Sequence, residues 1–292
     1  MLFKLAAVPA MADGVQFSVT EVSPPPQPNT VAEPRSDMLP DGEVAYGERN
    51  ITAAWLSGPT GRYRHGVLGD AVEASGLSAQ LADGRIVSLE LGTTSVFEDR
   101  LVRLVDLNSD GTDEILVVRS YLDTGAALAV VGVRNDRLAI LAEAPAIGLP
   151  HRWLNPVGAA DFDGDGRTEI AIVRTPHIGG ILILYRWEDD RLVEVYRENG
   201  FSNHVMGSRE LGLSAILDAN ADGIPDIALP DASRRNLRVV TFAQTRFRNL
   251  GGVRHPSPIV SKIQTSADPT SGKPAVLYSL ADGTSWKVTP GR

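Results

Sequence analysis

The sequence predicts an all-β fold: a β-propeller of four-stranded antiparallel blades, five of them closed by an N-terminal strand, with six blades as the alternative. Three observations predict it. An acidic nine-residue loop occurs at 106–114, 161–169 and 218–226, and each copy runs directly into an apolar stretch, at 115–118, 170–173 and 227–229. Segments beginning at Arg85, Arg137, Arg191 and Arg246 each follow a turn and start a strand, at spacings of 52, 54 and 55 residues. A period of this length with about four strands per unit is a propeller signature. Finally, aromatic residues are only 6% of the chain while glycines number 28, as many short strands and tight turns require.

The repeated loop carries the chemistry. In the middle copy Asp161, Asp163 and Asp165 alternate, Gly166 follows, and Glu169 stands ninth. The first copy has Asp106, Asn108, Asp110 and Glu114 at those positions, and the third has Asp218, Asn220, Asp222 and Asp226. Alternate residues of a tight loop can aim their oxygens at one centre, and the glycine permits the sharp turn. Calcium takes about six to eight oxygen ligands, so the backbone carbonyls of Thr112, Arg167 and Ile224 join each set as the expected ligands of about three Ca2+ ions. An EF-hand would need Glu at the twelfth loop position, where this chain has Val117, Ile172 and Leu229. Magnesium usually keeps several waters and uses only one or two carboxylates. Plain Asp-Gly turns are the competing explanation, since Asp, Asn and Gly dominate turns. Three copies in register, each with four oxygen-bearing positions, weigh against it, and clustered carboxylates without a cation would also repel one another.

With their following strands, the loops resemble the FG-GAP/VCBS repeats of integrin-α-like β-propellers of bacterial type. The resemblance is explicit over about 106–245. It implies calcium held between the first and second strands of a blade. It implies a fold and an ion, not a reaction.

Taken in order, residues 1–12 resemble the end of a signal peptide, with Ala10, Met11 and Ala12 fitting a cleavage site. Either the true start lies upstream or this is an ordinary terminus; export to the periplasm or beyond is the expectation. Residues 13–40, with Pro24, Pro25, Pro26, Pro28, Pro34 and Pro40, read as an extended lead-in, and the propeller spans 41–292. A first blade at 51–91 aligns without gaps so that Trp55, Ser57 and Pro59 replace the acids, and no metal is expected there. In the next three blades strand one is 101–107, 157–162 or 213–217, and strand two follows the loop. Strand three is 127–133, 181–185 or 237–242, and strand four begins at the arginine. The last blade has strands at 259–263, 275–280 and 285–288. Its missing fourth is assigned to 42–46, which would close the ring and remove two open edges. Six blades would need 15–22 to build extra sheet.

Composition narrows the function. With no cysteine, disulfides and thiol redox catalysis are excluded. The net charge of −8 is largely accounted for by the loops, which hold eleven acids. No basic run points to nucleic acid, and no apolar stretch approaches the ~18 residues of a transmembrane helix. A monomer with a protein or glycan ligand is the expected state.

In such a propeller, the end opposite the metal loops gathers Arg119, Asp123, His151, Trp153, His177, His204, Arg209, Glu210 and Asp231. Loops on a rigid scaffold are where function concentrates. Each residue also has a structural reading. The histidines can bond turn carbonyls, Trp153 can wedge between blades, and Arg209 with Glu210 can form an ion pair. Asp99, Asp123 and Asp231 could supply a carboxylate pair for glycoside hydrolysis. No GxSxG, HExxH, P-loop or GxGxxG pattern stands in a supporting context. The leading expectation is therefore an exported, calcium-binding module for binding or scaffolding, without enzymatic activity. The alternatives are a hydrolase or lyase acting on polysaccharide through the His/Arg/Asp-rich end, and a calcium-dependent adhesion domain.

Overall fold

A computed structural model of the chain describes residues 14–24, 35–268 and 272–291. The signal-like segment 1–12 and most of the proline cluster lie outside the described residues. The fold is all-β: antiparallel strands joined by turns, with one 3-10 turn among the described residues, at Ala243–Thr245.

Strand character follows burial. Glu114–Tyr121, Gly125–Arg134, Glu169–Arg174 and Asp226–Pro230 are buried almost throughout. These are the continuous apolar runs of the sequence, as expected of strands covered on both faces. Ile86–Glu90 and Arg191–Asn199 instead place polar residues at most exposed positions, as outer strands with one solvent face do. Hairpin chemistry is local: Asn135 and Asp136 both take positive φ, 51° and 61°, in the two-residue turn that closes on the Arg134–Arg137 pair. That primed geometry matches the twist of the flanking strands.

Three sheets have four strands. Leu154–Ala160, Glu169–Arg174, Ile181–Glu188 and Arg191–Asn199 lie side by side in chain order. Ala215–Leu217, Asp226–Pro230, Asn236–Thr241 and Arg248–Arg254 repeat that arrangement. The last sheet runs Gln264–Ala267, Pro274–Ser279, Ser285–Pro290 and then Phe17–Val22. Two further four-stranded units form the nine-stranded sheet. One is Ala45–Tyr46, Ile51–Thr60, Glu73–Leu81 and Ile86–Glu90. The other is Arg103–Val105, Glu114–Tyr121, Gly125–Arg134 and Arg137–Glu143. Ser95–Phe97 links them, pairing with both Glu73–Leu81 and Glu114–Tyr121.

Three sequence expectations need correction. The fourth strand of the last sheet is Phe17–Val22, registered from Phe17 opposite Pro290 to Val22 opposite Ser285, and not the segment at 42–46. Ala45–Tyr46 instead opens the first unit beside Ile51–Thr60. The lead-in therefore contributes a strand to the last sheet, and 15–22 builds no extra one. Second, Trp55, Ser57 and Pro59 lie within the strand Ile51–Thr60, so the first unit's counterpart of the acidic loop is the turn at 47–50. Trp55 is buried and donates through Nε1 to Asp37 Oδ1 at 3.0 Å, which fixes it as an interior residue. Third, 259–263 holds only an isolated bridge, Ile259 to Leu280, and the strand begins at Gln264.

Four buried apolar clusters join neighbouring units in chain order. Ile51, Leu77 and Ile115 mark the first, Leu116, Trp153 and Ile183 the second. Phe162, Leu184 and Phe242 mark the third, and Leu250, Tyr278 and Val288 the fourth. No fifth such cluster joins the last sheet to the first among the described residues.

Candidate functional site

The three acidic loops share one hydrogen-bond pattern. The first-position carboxylates of Asp106, Asp161 and Asp218 accept the N–H of the fifth residue at 3.1, 3.1 and 3.2 Å. Their second oxygens accept the glycine N–H at 3.0, 2.9 and 2.9 Å. Asn108, Asp163 and Asn220 accept the fifth N–H as well, at 3.0, 3.1 and 3.1 Å. Asp110, Asp165 and Asp222 accept the N–H of Thr112, Arg167 and Ile224 at 2.8, 2.9 and 2.9 Å. The ninth-position acids Glu114, Glu169 and Asp226 reach back to the N–H of Leu107, Phe162 and Ala219 at 3.0, 3.0 and 2.9 Å. Gly111, Gly166 and Gly223 hold φ of 85°, 86° and 84°, where an L side chain is strained. The fourth position is also left-handed, in Ser109, Gly164 and Ala221.

The loops share one end of the molecule. A Cβ on Gly164 would meet Ile224 Cδ1 at 2.7 Å, so the second and third loops touch. A cleft of about 410 Å³ beside the first loop is lined by Asn108, Asp110, Glu114, Leu141 and Trp187, the last from the middle sheet. Asn50, in the first unit's turn, brackets the first loop: its Oδ1 accepts the Asp113 N–H at 2.6 Å and its Nδ2 donates to the Asp113 carbonyl at 3.3 Å.

Electrostatics separates the copies. Burial pushes Glu114 up to about 7, with the charges of Asp110, Asp106 and Asp113 adding to it. Burial likewise pushes Asp226 up to about 6, with Asp222 and Asp218 contributing. Asp226 is fully buried and its Oδ1 has no hydrogen-bond partner. The exposed Asp110 moves the other way, held below the usual carboxylate range by the Thr112 hydroxyl and N–H. In the middle loop one oxygen each from Asp161, Asp163 and Glu169 lies within 4.8 Å of the others. That loop also receives Arg186, whose Nη2 is 3.0 Å from Asp163 and 3.1 Å from Asp165 and is bonded to Glu169. Burial works against the Arg186 charge, but Glu169, Asp165 and Asp163 outweigh it and keep the guanidinium firmly protonated. In the first loop Arg49, half exposed, reaches Asp113 at 2.7 Å and Asp106 at 3.5 Å. Among the described residues no cationic side chain reaches Glu114 or Asp226. Oxygen donors and a net-negative set suit a hard cation in the first and third loops, and in the third the buried Asp226 Oδ1 is left without a partner.

At the other end, four of the chain's five histidines gather. His65 Nδ1 is 2.6 Å from Glu98 Oε1, and Ser120 donates to the other Glu98 oxygen. The His65 ring is 5.2 Å from that of His151, and both flank Tyr63. Trp153 donates to the Glu98 carbonyl at 2.9 Å and stacks on His177. His177 Nε2 meets His204 Nδ1 at 2.8 Å, and His204 Nε2 faces the Ser208 carbonyl at 3.0 Å. A carbonyl only accepts, so His204 carries its proton on Nε2 and His177 donates from its own Nε2. Burial holds both rings neutral, His177 at about 4 and His204 at about 3.

The remaining residues expected at this end are used structurally. Arg119 bonds Ser95 and Glu143 and lies over the Tyr121 ring. Arg209 and Glu210 do not pair: Arg209 reaches Asp41 and Asp70, while Glu210 accepts the Gly212 N–H. Asp231 caps its own turn through Ser233, Asp123 accepts from Thr124, and Asp99 is buried against Arg103. These three carboxylates form no mutual pair.

Sequence reasoning missed Tyr63, His65, Glu98 and Arg186. A Tyr-x-His spacing in an inter-strand loop was the only local sign of the first two. Arg186 could have been found by placing it opposite Glu169 across the following hairpin. No known protein-family model matches the chain, and a comparison with characterised proteins finds no match.

Proposed function

We propose that this chain is an exported, calcium-stabilised β-propeller of five four-stranded blades, an FG-GAP/VCBS-type binding or scaffold module without enzymatic activity. The observation that carries the proposal is the recurrence, in three loops, of one hydrogen-bond scheme in which a buried ninth-position carboxylate reaches back to the loop's second N–H. Turns selected only for reversal of the chain need no such acid. Five four-stranded units joined in chain order support the propeller, and the cleft beside the first loop offers a place where a protein or glycan partner could meet the metal end. The reading as a polysaccharide hydrolase or lyase has less support, because Asp99, Asp123 and Asp231 are each engaged by their own surroundings.

The test is a thermal melt with calcium and with chelator. A ligand that binds only the folded state at about 100 times its Kd adds about 2.7 kcal/mol per site. In a domain of this size each kcal/mol is worth roughly 2–4 °C, so the midpoint is expected to rise by about 5–10 °C for each occupied site. A midpoint indifferent to chelator sinks the calcium reading.

A further inference from the structure

The middle loop has a carboxylate at every expected ligand side chain, and it is also the loop whose ninth-position acid is already bonded to a cation. Arg186 lies opposite Glu169 in the ladder between Glu169–Arg174 and Ile181–Glu188. From there its guanidinium enters the loop. Nη2 is shared among Asp163, Asp165 and Glu169, and Nε donates to Glu169 Oε1 at 2.8 Å. The Arg186 side chain is only 11% exposed and that of Glu169 1%.

The other two loops lack this cation for a reason visible in the ladder. Ile115 pairs with Val131, so the next step places Gly132 opposite Glu114; a Cβ on Gly132 would stand 3.7 Å from Glu114 Cγ. Ile227 pairs with Val240, which places Thr241 opposite Asp226. One structural position thus carries Gly, Arg and Thr in the three copies. Where it is Arg, the ninth-position oxygen has a partner and three carboxylates converge. Where it is Thr, the equivalent Asp226 Oδ1 is left without one.

We propose that Arg186 is the resident cation of the middle loop, so that the protein binds calcium at 106–114 and 218–226 but not at 161–169. The guanidinium presents its charge from the neighbouring strand and loses none of the freedom that a free ion loses on binding. A divalent ion would have to expel a charge that cannot be neutralised by deprotonation, and it would compete with the guanidinium for the oxygens of Asp163, Asp165 and Glu169 together, whereas Arg49 in the first loop leaves Glu114 untouched. The inference rests on the calcium reading above and fixes which loops it applies to.

The test counts ions on the full chain by equilibrium dialysis against calcium, in the wild type and in Arg186→Thr, which reproduces the third loop's residue. Two ions in the wild type and three in the variant are expected. Asp161→Ala is expected to leave the wild-type count at two, whereas Asp106→Ala and Asp218→Ala each remove one. Three ions in the wild type overturn the inference and leave the calcium reading standing. An unchanged count of two in a folded Arg186→Thr overturns the role given to Arg186. No binding in either protein overturns both. The wild-type count needs no variant, so a misfolded substitution does not shelter the proposal.

Discussion

Glu169 and Arg186 face each other across an antiparallel pair, and the guanidinium Nε donates to Glu169 Oε1 at 2.8 Å within a cluster that also holds Asp163 and Asp165. Breaking a buried ion pair by removing one partner costs about 3–5 kcal/mol, because the other charge is left uncompensated. Arg186→Thr is therefore expected to lower the unfolding free energy by that order in chelator. Calcium should restore much of the loss by entering the vacated cluster. Urea unfolding of wild type and variant, with and without calcium, measures both effects.

Asp226 should respond in the opposite sense. Its Oδ1 is buried without a partner, and its carboxyl is pushed up to about 6. At pH 7 the ionised form thus opposes folding when no cation is present. Asp226→Asn is expected to raise the unfolding free energy in chelator by about 1–3 kcal/mol, the scale of one to two pKa units. In calcium the same change should weaken binding and lower the midpoint. A substitution that destabilises equally in both media would contradict the role given to this oxygen.

His255 provides a pH dependence far from the loops. It is buried, its Nε2 is 2.7 Å from the Tyr278 hydroxyl, and burial lowers it from 6.5 to about 4. The unfolded chain therefore takes up a proton below about pH 6.5 that the folded chain refuses until about pH 4. Stability from this group is complete above the upper value and lost as pH falls through the window. The ring packs against Tyr278 and Trp286, and Asp282 is the charge that favours its protonation. Relative to His255→Gln, wild type should lose up to about 3 kcal/mol between pH 7 and pH 4. Parallel urea midpoints in saturating calcium isolate the effect from the loops. A constant difference between the two proteins across that range would refute it.

The N-terminal strand is a further test of architecture. Phe17–Val22 covers the edge of Ser285–Pro290 over six registered pairs. Removing residues 1–24 bares the backbone groups of that edge, a template for pairing between chains. The truncated protein is expected to melt lower and to associate with rising concentration in sedimentation experiments. An unaltered monomer would show that this strand is dispensable.

What was legible in the sequence was what is local. The acidic loops were readable because the alternating acids, the glycine and the following apolar run all lie within a few residues. The Arg-led outer strands were readable by their period. Non-local choices were not. Phe17–Val22 and Ala45–Tyr46 are both short segments that precede the first long strand, and only tertiary packing decides which of them joins the last sheet. Prolines beside the first made it read as lead-in. The gapless alignment of the first unit fails because Trp55 and Pro59 fall against loop positions, although they belong to a long and mostly buried strand. Arg186 escaped notice because its role depends on the cross-strand register, and His65 and Glu98 because their pairing spans units rather than neighbouring residues.

The most direct measurement is a calorimetric titration of metal-free protein with calcium, repeated with magnesium. The account predicts saturable calcium binding in more than one loop and much weaker binding of magnesium, whose smaller shell suits these open carboxylate and amide sets poorly. A flat calcium titration would contradict it, and the three loops would then be turns stabilised by their own side chains alone.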